Sequence, residues 1–345
     1  MPISRKLNDI INRVSAGIYT NEVLDLSNQE IDDDGAEALA DALSENSDVK
    51  KVNLYNNQIG DTGAGKLSVL SLSELNLSEN NIRSEGARSL SKSKIEFLDL
   101  SCNAIGPVGA GHFSNSEFIK RLSLSECETG SDGAKKVLQN TEITILDLST
   151  NDIDDDGVKE ISENSKIVSL KLSQNKITHI GAENITKHKK LKTLCLDSNQ
   201  LGDKGAKAFL NNSTIKFLDL TQNRITRLGF FEICKNNTIE NLELFNNLIN
   251  FTKGDTLPEE HCFDSLIYLN LSGNELDDAG LGVIESLKKR KGLKLDVSRN
   301  NIGDKAPLLT QYHSEISRRV GLQSDPKVSF KIDLGEKRRS CITLS

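Results

Sequence analysis

The sequence contains no tryptophan, and four tyrosines with eleven phenylalanines are its whole aromatic content. Hydrophobic residues make up 36% of the 345 positions, enough to fold but with little aromatic material. No C-x-x-C pair occurs among Cys102, Cys127, Cys195, Cys234, Cys262 and Cys341. That scatter excludes a zinc site of the usual spacing and a disulfide framework, and it suits a reduced, cytoplasmic setting. No apolar run approaches the roughly 18 residues of a membrane span, and residues 1–23 lack the unbroken apolar core of a secretory leader. A surplus of positive charge is missing as well. The net charge of −7 argues against nucleic acid and acidic membrane surfaces as partners and favours basic proteins.

The usual catalytic signatures are equally absent. H-E-x-x-H, G-x-S-x-G and a phosphate loop do not occur, and "GAGKLS" lacks the glycine spacing that a phosphate loop needs. His112, His179, His188, His261 and His313 fall on predicted outer segments or loops. His261 adjoins Cys262, but sequence neighbours rarely face each other. The expectation is a protein without catalytic residues, cofactor or metal. One stretch tests the last point. Asp152, Asp154, Asp156, Gly157 and Glu163 match a calcium-loop pattern of alternating carboxylates, a turning glycine and a closing glutamate. The segment before Asp152, "ITILDLS", alternates like a strand rather than a helix, and Ile153 occupies an apolar repeat position.

What the chain does have is a period. "VKKVNLYNNQI", "LSELNLSENNI", "IEFLDLSCNAI", "ITILDLSTNDI" and "IKFLDLTQNRI" share an L-x-x-L-x-L-x-x-N-x-I template. Twelve copies place asparagine at 57, 80, 103, 151, 175, 199, 223, 247, 274 and 300, with Gln29 and Cys127 in two degenerate copies. Each L-x-L directs two aliphatic side chains inward and the intervening residues to the open face of a short strand. One copy cannot bury that face alone, so the core exists only by stacking. A buried asparagine both donates and accepts, which suits it to loop backbone groups costing about 1–3 kcal/mol each if left unpaired. Cys127 cannot do both, and a weaker turn is expected there. Asp155 aligns with Asp33, Asp61, Ser84, Ser131, Asp203, Asp278 and Asp304, read as N-caps of outer helices. Gly157 aligns with a glycine column that permits close approach, so the acidic run belongs to the repeat rather than to a metal site.

These residues resemble the leucine-rich-repeat family over about positions 20–310. The "G-D-x-G-A-x-x-L" segment, as in "IGDTGAGKL", resembles the ribonuclease-inhibitor and Ran-GTPase-activator class, although most copies are shorter than that class's repeat of about 28 residues. The 24-residue copies are also similar to leucine-rich-repeat effectors that Legionella-type bacteria inject into host cells, which would place the protein in the host cytosol. The resemblance implies an α/β horseshoe with a parallel concave sheet, outer helices and about twelve repeats.

Residues 1–22 read as a helical cap, 23–310 as the array, 311–335 as a closing helix and strand, and 336–345 as a tail. The segment 249–263 carries Pro258, lacks the glycine-alanine pair and is expected to replace a helix with a loop. Cys341 is fifth from the end, which rules out a prenylation box. Twelve strands would present a surface roughly 50–60 Å long, suited to a protein rather than a metabolite. Its candidate contact residues are Tyr55, Phe97, Asp99, Ile145, Asp147, Phe217, Asp219, Glu243, Phe245 and Tyr268, aromatic anchors beside acids. The expected partner is a protein with a basic and apolar patch, bound by a monomer, with inhibition of an enzyme as one outcome. A Ran-type GTPase activator is the alternative; it would need arginines gathered at one rim, and Arg121 and Arg299 are its candidates.

Overall fold

Alternation of apolar residues with period two gives twelve three-residue strands, and in the computed structural model they pair consecutively into one parallel sheet. The structure describes residues 5–159, 161, 165–258 and 262–303. The expected closing elements at 311–335 and the tail at 336–345 lie outside the described residues. The strands are β1 Val23–Asp25, β2 Lys51–Asn53, β3 Glu74–Asn76, β4 Phe97–Asp99, β5 Arg121–Ser123 and β6 Ile145–Asp147. They continue as β7 Ser169–Lys171, β8 Thr193–Cys195, β9 Phe217–Asp219, β10 Asn241–Glu243, β11 Tyr268–Asn270 and β12 Lys294–Asp296. Equivalent repeat positions face one another without slippage from Val23↔Lys51 to Tyr268↔Lys294.

The central residue of each strand and the second leucine of each motif enter one aliphatic core that runs the length of the sheet, from Leu24 and Leu26 to Leu269 and Leu271. Helix α1 (Arg5–Ser15) closes its first end, burying Leu7 and Val14. The outer layer is formed by α2 (Asp33–Ser44), α3 (Asp61–Leu67), α4 (Ser84–Leu90), α5 (Gly106–Gly111), α6 (Gly130–Val137), α7 (His179–Ile185), α8 (Gly202–Ala208), α9 (Arg227–Ile233) and α10 (Leu281–Lys288). Among the described residues, the repeats after β6 and β10 have no α-helix there. Their places are taken by a turn at 155–159 and a loop from 250 to 258.

The asparagine column is buried except at the half-buried Asn80 and Asn300, and its amides are used in the turns. Asn175 donates from Nδ2 to Leu148 O at 3.0 Å and Leu172 O at 3.1 Å, while its Oδ1 accepts from Ile153 N at 2.9 Å. Each amide thus ties its own turn to the one before it. At Cys127, Sγ donates to Leu100 O at 3.1 Å but offers no oxygen, and Ile105 N turns to the carbonyl of Asn103 instead. The expected weakness at that turn therefore has a specific form, a substituted acceptor.

A second column stands at the outer edge of the turns. Asn140 donates to Phe113 O and Ser116 O, and its Oδ1 accepts from Ile143 N at 2.9 Å. Asn46, Asn212 and Asn236 repeat the pattern. His188 stands in the same place and accepts from Lys190 N through Nδ1. Burial lowers its pKa, with the neighbouring Lys190 adding to the effect.

The N-cap assignment needs correction. Asp33, Asp61, Asp155 and Asp203 do not cap their own helices. The Oδ1 of Asp203 accepts from Thr226 N at 2.7 Å and Gly229 N at 3.0 Å, both in the following repeat. Asp61 does the same for Arg83 and Gly86, and Asp155 for Thr178 and Gly181. The carboxylate satisfies the first free amides of the next helix and staples two rungs together. This also explains the glycine column: a Cβ on Gly229 would lie 2.6 Å from Asp203 Oδ1.

The calcium-like run dissolves into the same scheme. Asp152 pairs with Lys176 at 2.9 Å, Asp154 accepts from the amides of Asp156 and Gly157, and Asp155 serves the next repeat. The carboxylates point to separate partners instead of converging, and Glu163 lies outside the described residues.

Candidate functional site

The open face is built from the outer two residues of each strand and the residue that follows it. Between the two core leucines an aspartate or asparagine recurs for a local reason. Its Oδ1 accepts from the amide two residues on, as in Asp99 to Ser101 at 3.0 Å, Asp147 to Ser149 at 3.0 Å and Asp219 to Thr221 at 2.9 Å. This Asx turn ends β1 to β4, β6, β9, β11 and β12, and where the residue is an aspartate it leaves the second oxygen for other contacts. The acidic row is therefore partly structural, a role the sequence reading assigned wholly to a partner.

The candidate residues fall into two groups and one outlier. Phe97, Asp99, Ile145 and Asp147 lie on β4 and β6, with β5 between them. Phe217, Asp219, Glu243, Phe245 and Tyr268 lie on or just after β9, β10 and β11. Tyr55 follows β2 and belongs to neither. Most of the ten are half-buried, open on one side.

Tyr268 departs from expectation. Expected as an exposed anchor, it is only 7% exposed, flanked in register by Asn241 and Lys294. Burial, then Glu243 and Asp296, push its phenol pKa upward. Its register, shared with Asn241 and Phe217, places it on the open side, close enough to these acids to feel their charge. Phe245 is also partly covered: a Cβ on Gly273 would come within 2.6 Å of its ring, and Arg299 lies 5.9 Å from the ring centroid.

The two groups differ in charge. In the first half, Lys51 sits 3.5 Å from both Glu22 and Glu74, and Lys171 sits 3.3 Å from Asp147. The Arg121 guanidinium covers the Phe97 ring at 4.4 Å. In the second half, Asp219 and Glu243 form no ion pair among the described residues. Glu243 accepts from Asn270 Nδ2 at 2.7 Å, and Asp197 accepts a short hydrogen bond from Ser173 Oγ. Burial raises the pKa of Glu243 to about 7, with Asp219 and Asp296 adding repulsion against one helpful hydrogen bond. Asp219 rises to about 6, again through burial first and Asp197 second. Asp99, in the first half, is raised by burial too, against two hydrogen bonds from Ser101.

A family model described as "Leucine Rich repeat" matches residues 22–40, 45–68, 70–91, 92–113, 139–162, 187–210, 211–234, 265–284 and 293–306, together more than half of the chain. The chain belongs to the leucine-rich-repeat family. Among solved structures this leucine-rich-repeat protein is similar to an internalin, InlF, from Listeria monocytogenes strain 4b F2365, with 18% identity, 88% of this chain and 89% of that chain covered, and a TM-score of 0.56. A TDR receptor is similar at 17% identity over 76% of this chain and 45% of its own, with a TM-score of 0.43. At such identity the internalin likeness speaks for the fold: twelve parallel strands in an open solenoid with helices outside. No curated protein sequence matches the chain.

Among the described residues, no group of three His, Cys, Asp or Glu side chains is placed to hold a metal ion. The open face offers carboxylate oxygens, ring faces and hydroxyls over a long surface. That inventory suits recognition, the general role of leucine-rich-repeat scaffolds.

Proposed function

We propose that this protein is a non-catalytic recognition scaffold that binds a basic, partly apolar patch of another protein on its open face. The observation that carries this reading is the second half of that face. There Asp219 and Glu243 stand desolvated with no ion pair among the described residues, beside the half-open ring of Phe217. A lysine or arginine from a partner would supply the missing charge, and the ring would supply apolar contact. Phe97 and Ile145, with Asp99 and Asp147, would extend the footprint across the first half.

The finer reading is inhibition of an enzyme by occlusion, carried out by a monomer in the cytoplasm, or in a host cytosol if the chain is an injected effector. The Ran-type activator has less support. Arg121 on β5 and Arg299 after β12 each lie over a phenylalanine, and some seven strand spacings, roughly 34 Å, separate them.

Immobilised full-length protein and mass spectrometry test the proposal. A bound protein should be retained by Leu228→Ala on the outer layer and lost with Phe217→Ala or Glu243→Lys. Retention by both face variants would overturn the assignment. If the partner is an enzyme, stoichiometric loss of its activity supports inhibition, whereas faster GTP hydrolysis by a small GTPase supports activation.

A further inference from the structure

The repeat after β10 has no outer helix among its described residues, and aromatic packing takes the helix's place. Phe251 and Phe263 from this repeat meet Phe230 of α9 with ring centroids 5.1 and 5.8 Å away, and Phe231 lies 5.7 Å from Phe251. At the edge of this cluster the amide of Phe263 donates to Cys234 O at 2.8 Å. That backbone bond brings the preceding residue, Cys262, against Cys234. Their sulfurs are 3.3 Å apart, and the two residues are 1% and 0% exposed. The pair is separated by 28 positions.

The geometry points to a disulfide site joining Cys234, at the end of α9, to Cys262, at the end of the loop that replaces a helix. A sulfur–sulfur bond of about 2.05 Å needs a small rotation about the Cα–Cβ bonds to close the 3.3 Å gap, because the backbone is already held by the Phe263 amide. The bond would close a loop that contains the segment 250–258, which has no helix, and a covalent tie there constrains the unfolded chain. Nothing in this inference depends on what binds the open face.

The chemistry balances with an oxidant of the peroxide or small-molecule disulfide class. One thiolate attacks the oxidant to give a sulfenic acid or a mixed disulfide. The second sulfur then displaces water or the small thiol. Two S–H bonds break, one S–S bond forms, and the two electrons and two protons leave as two waters from hydrogen peroxide or two thiols from glutathione disulfide. Burial raises the Cys234 thiol, and the Cys262 thiol beside it adds to the rise, so the reaction proceeds slowly at neutral pH and faster in alkali.

The test uses the full chain, reduced, freed of reductant and exposed to hydrogen peroxide or glutathione disulfide, followed by non-reducing peptide mapping. The expected product is a peptide pair joined through Cys234 and Cys262, lighter by two hydrogens. It should be accompanied by a rise in Tm of roughly 3–8 °C that a reductant reverses. Cys234→Ala and Cys262→Ala should each abolish the shift. If either variant fails to fold, the peptide map of the unaltered chain decides alone. Recovery of both residues as free thiols after long oxidation, or their linkage to other cysteines, overturns the inference.

Discussion

The two halves of the open face share one backbone and differ in what their charges meet. From β2 to β7, lysines stand in register beside carboxylates, Lys51 with Glu74 and Lys171 with Asp147, and Arg121 rests on Phe97. From β8 to β12 the last strand position holds Cys195, Asp219, Glu243, Asn270 and Asp296, with Lys294 at the start of β12 beside Tyr268, and burial drives Asp219 and Glu243 toward the neutral form. A repeat scaffold fixes where a side chain points. The residue one rung away decides whether its charge is compensated, and Asp219 and Glu243, which form no ion pair among the described residues, have a reason to seek a partner.

The largest way to break this comparison is to put a cation where the second half lacks one. Glu243→Lys should lower affinity for a captured basic partner by about 100-fold or more, measured by calorimetry. Its Tm should stay within a few degrees of the parent, because the new ammonium meets Asp219 and Asp296. Equal loss of binding and of fold would contradict the comparison.

A scaffold change should affect both halves alike. Asn175→Ala strands the carbonyls of Leu148 and Leu172 and the amide of Ile153, for an expected loss of about 2–4 kcal/mol in urea unfolding. The reverse substitution, Cys127→Asn, restores an acceptor for the Ile105 amide and should gain about 0.5–1.5 kcal/mol.

Making the first half resemble the second has a smaller effect. Lys171→Met leaves Asp147 without its cation and should cost about 0.5–1.5 kcal/mol at pH 7, a figure reduced for the partial exposure of both side chains. Much of that cost should vanish in the double variant with Asp147→Asn, as a thermodynamic cycle would show.

The smallest expected effect is the sharpest in sign. A carboxylate whose folded pKa is raised stabilises the fold below its unfolded pKa and loses that contribution as pH climbs through the folded value. Glu243 and Asp219 therefore make the free protein more stable as pH falls from 8 to 5.5, by roughly 1–3 °C in Tm, while affinity for a basic partner falls over the same range. Glu243→Gln should flatten both curves. The carboxylates held below their usual range, Glu142 through Lys120 and Lys166 among them, lose their contribution only at more acid pH.

Much of the fold was legible because a period of about 24 residues assigns each position an inside or an outside. Strand register and the asparagine column followed from it. Contacts between rungs were harder to read. Asp203 and Gly229 stand 26 positions apart, and nothing within one repeat says that the carboxylate serves the next helix. The signal was present as the joint recurrence of aspartate and glycine one repeat later, but it resembles ordinary capping until the rungs are stacked. Asp99 and Asp147 looked like free charges because a strand pattern does not reveal that a side chain folds back on its own turn. Tyr268 was misjudged because register gives direction and not depth: it points to the open side, yet its neighbours cover it. The Cys234–Cys262 contact arose where the period itself changes, to 27 residues between β10 and β11.

Carboxyl-carbon NMR titration of Glu243 and Asp219 in the full-length protein tests the central claim, that the second half of the open face carries desolvated and uncompensated acid. The account predicts midpoints near 7 and near 6 respectively, each falling when a basic partner is added. Midpoints of about 4 for both residues in the free protein would mean ordinary solvated carboxylates, and would contradict it.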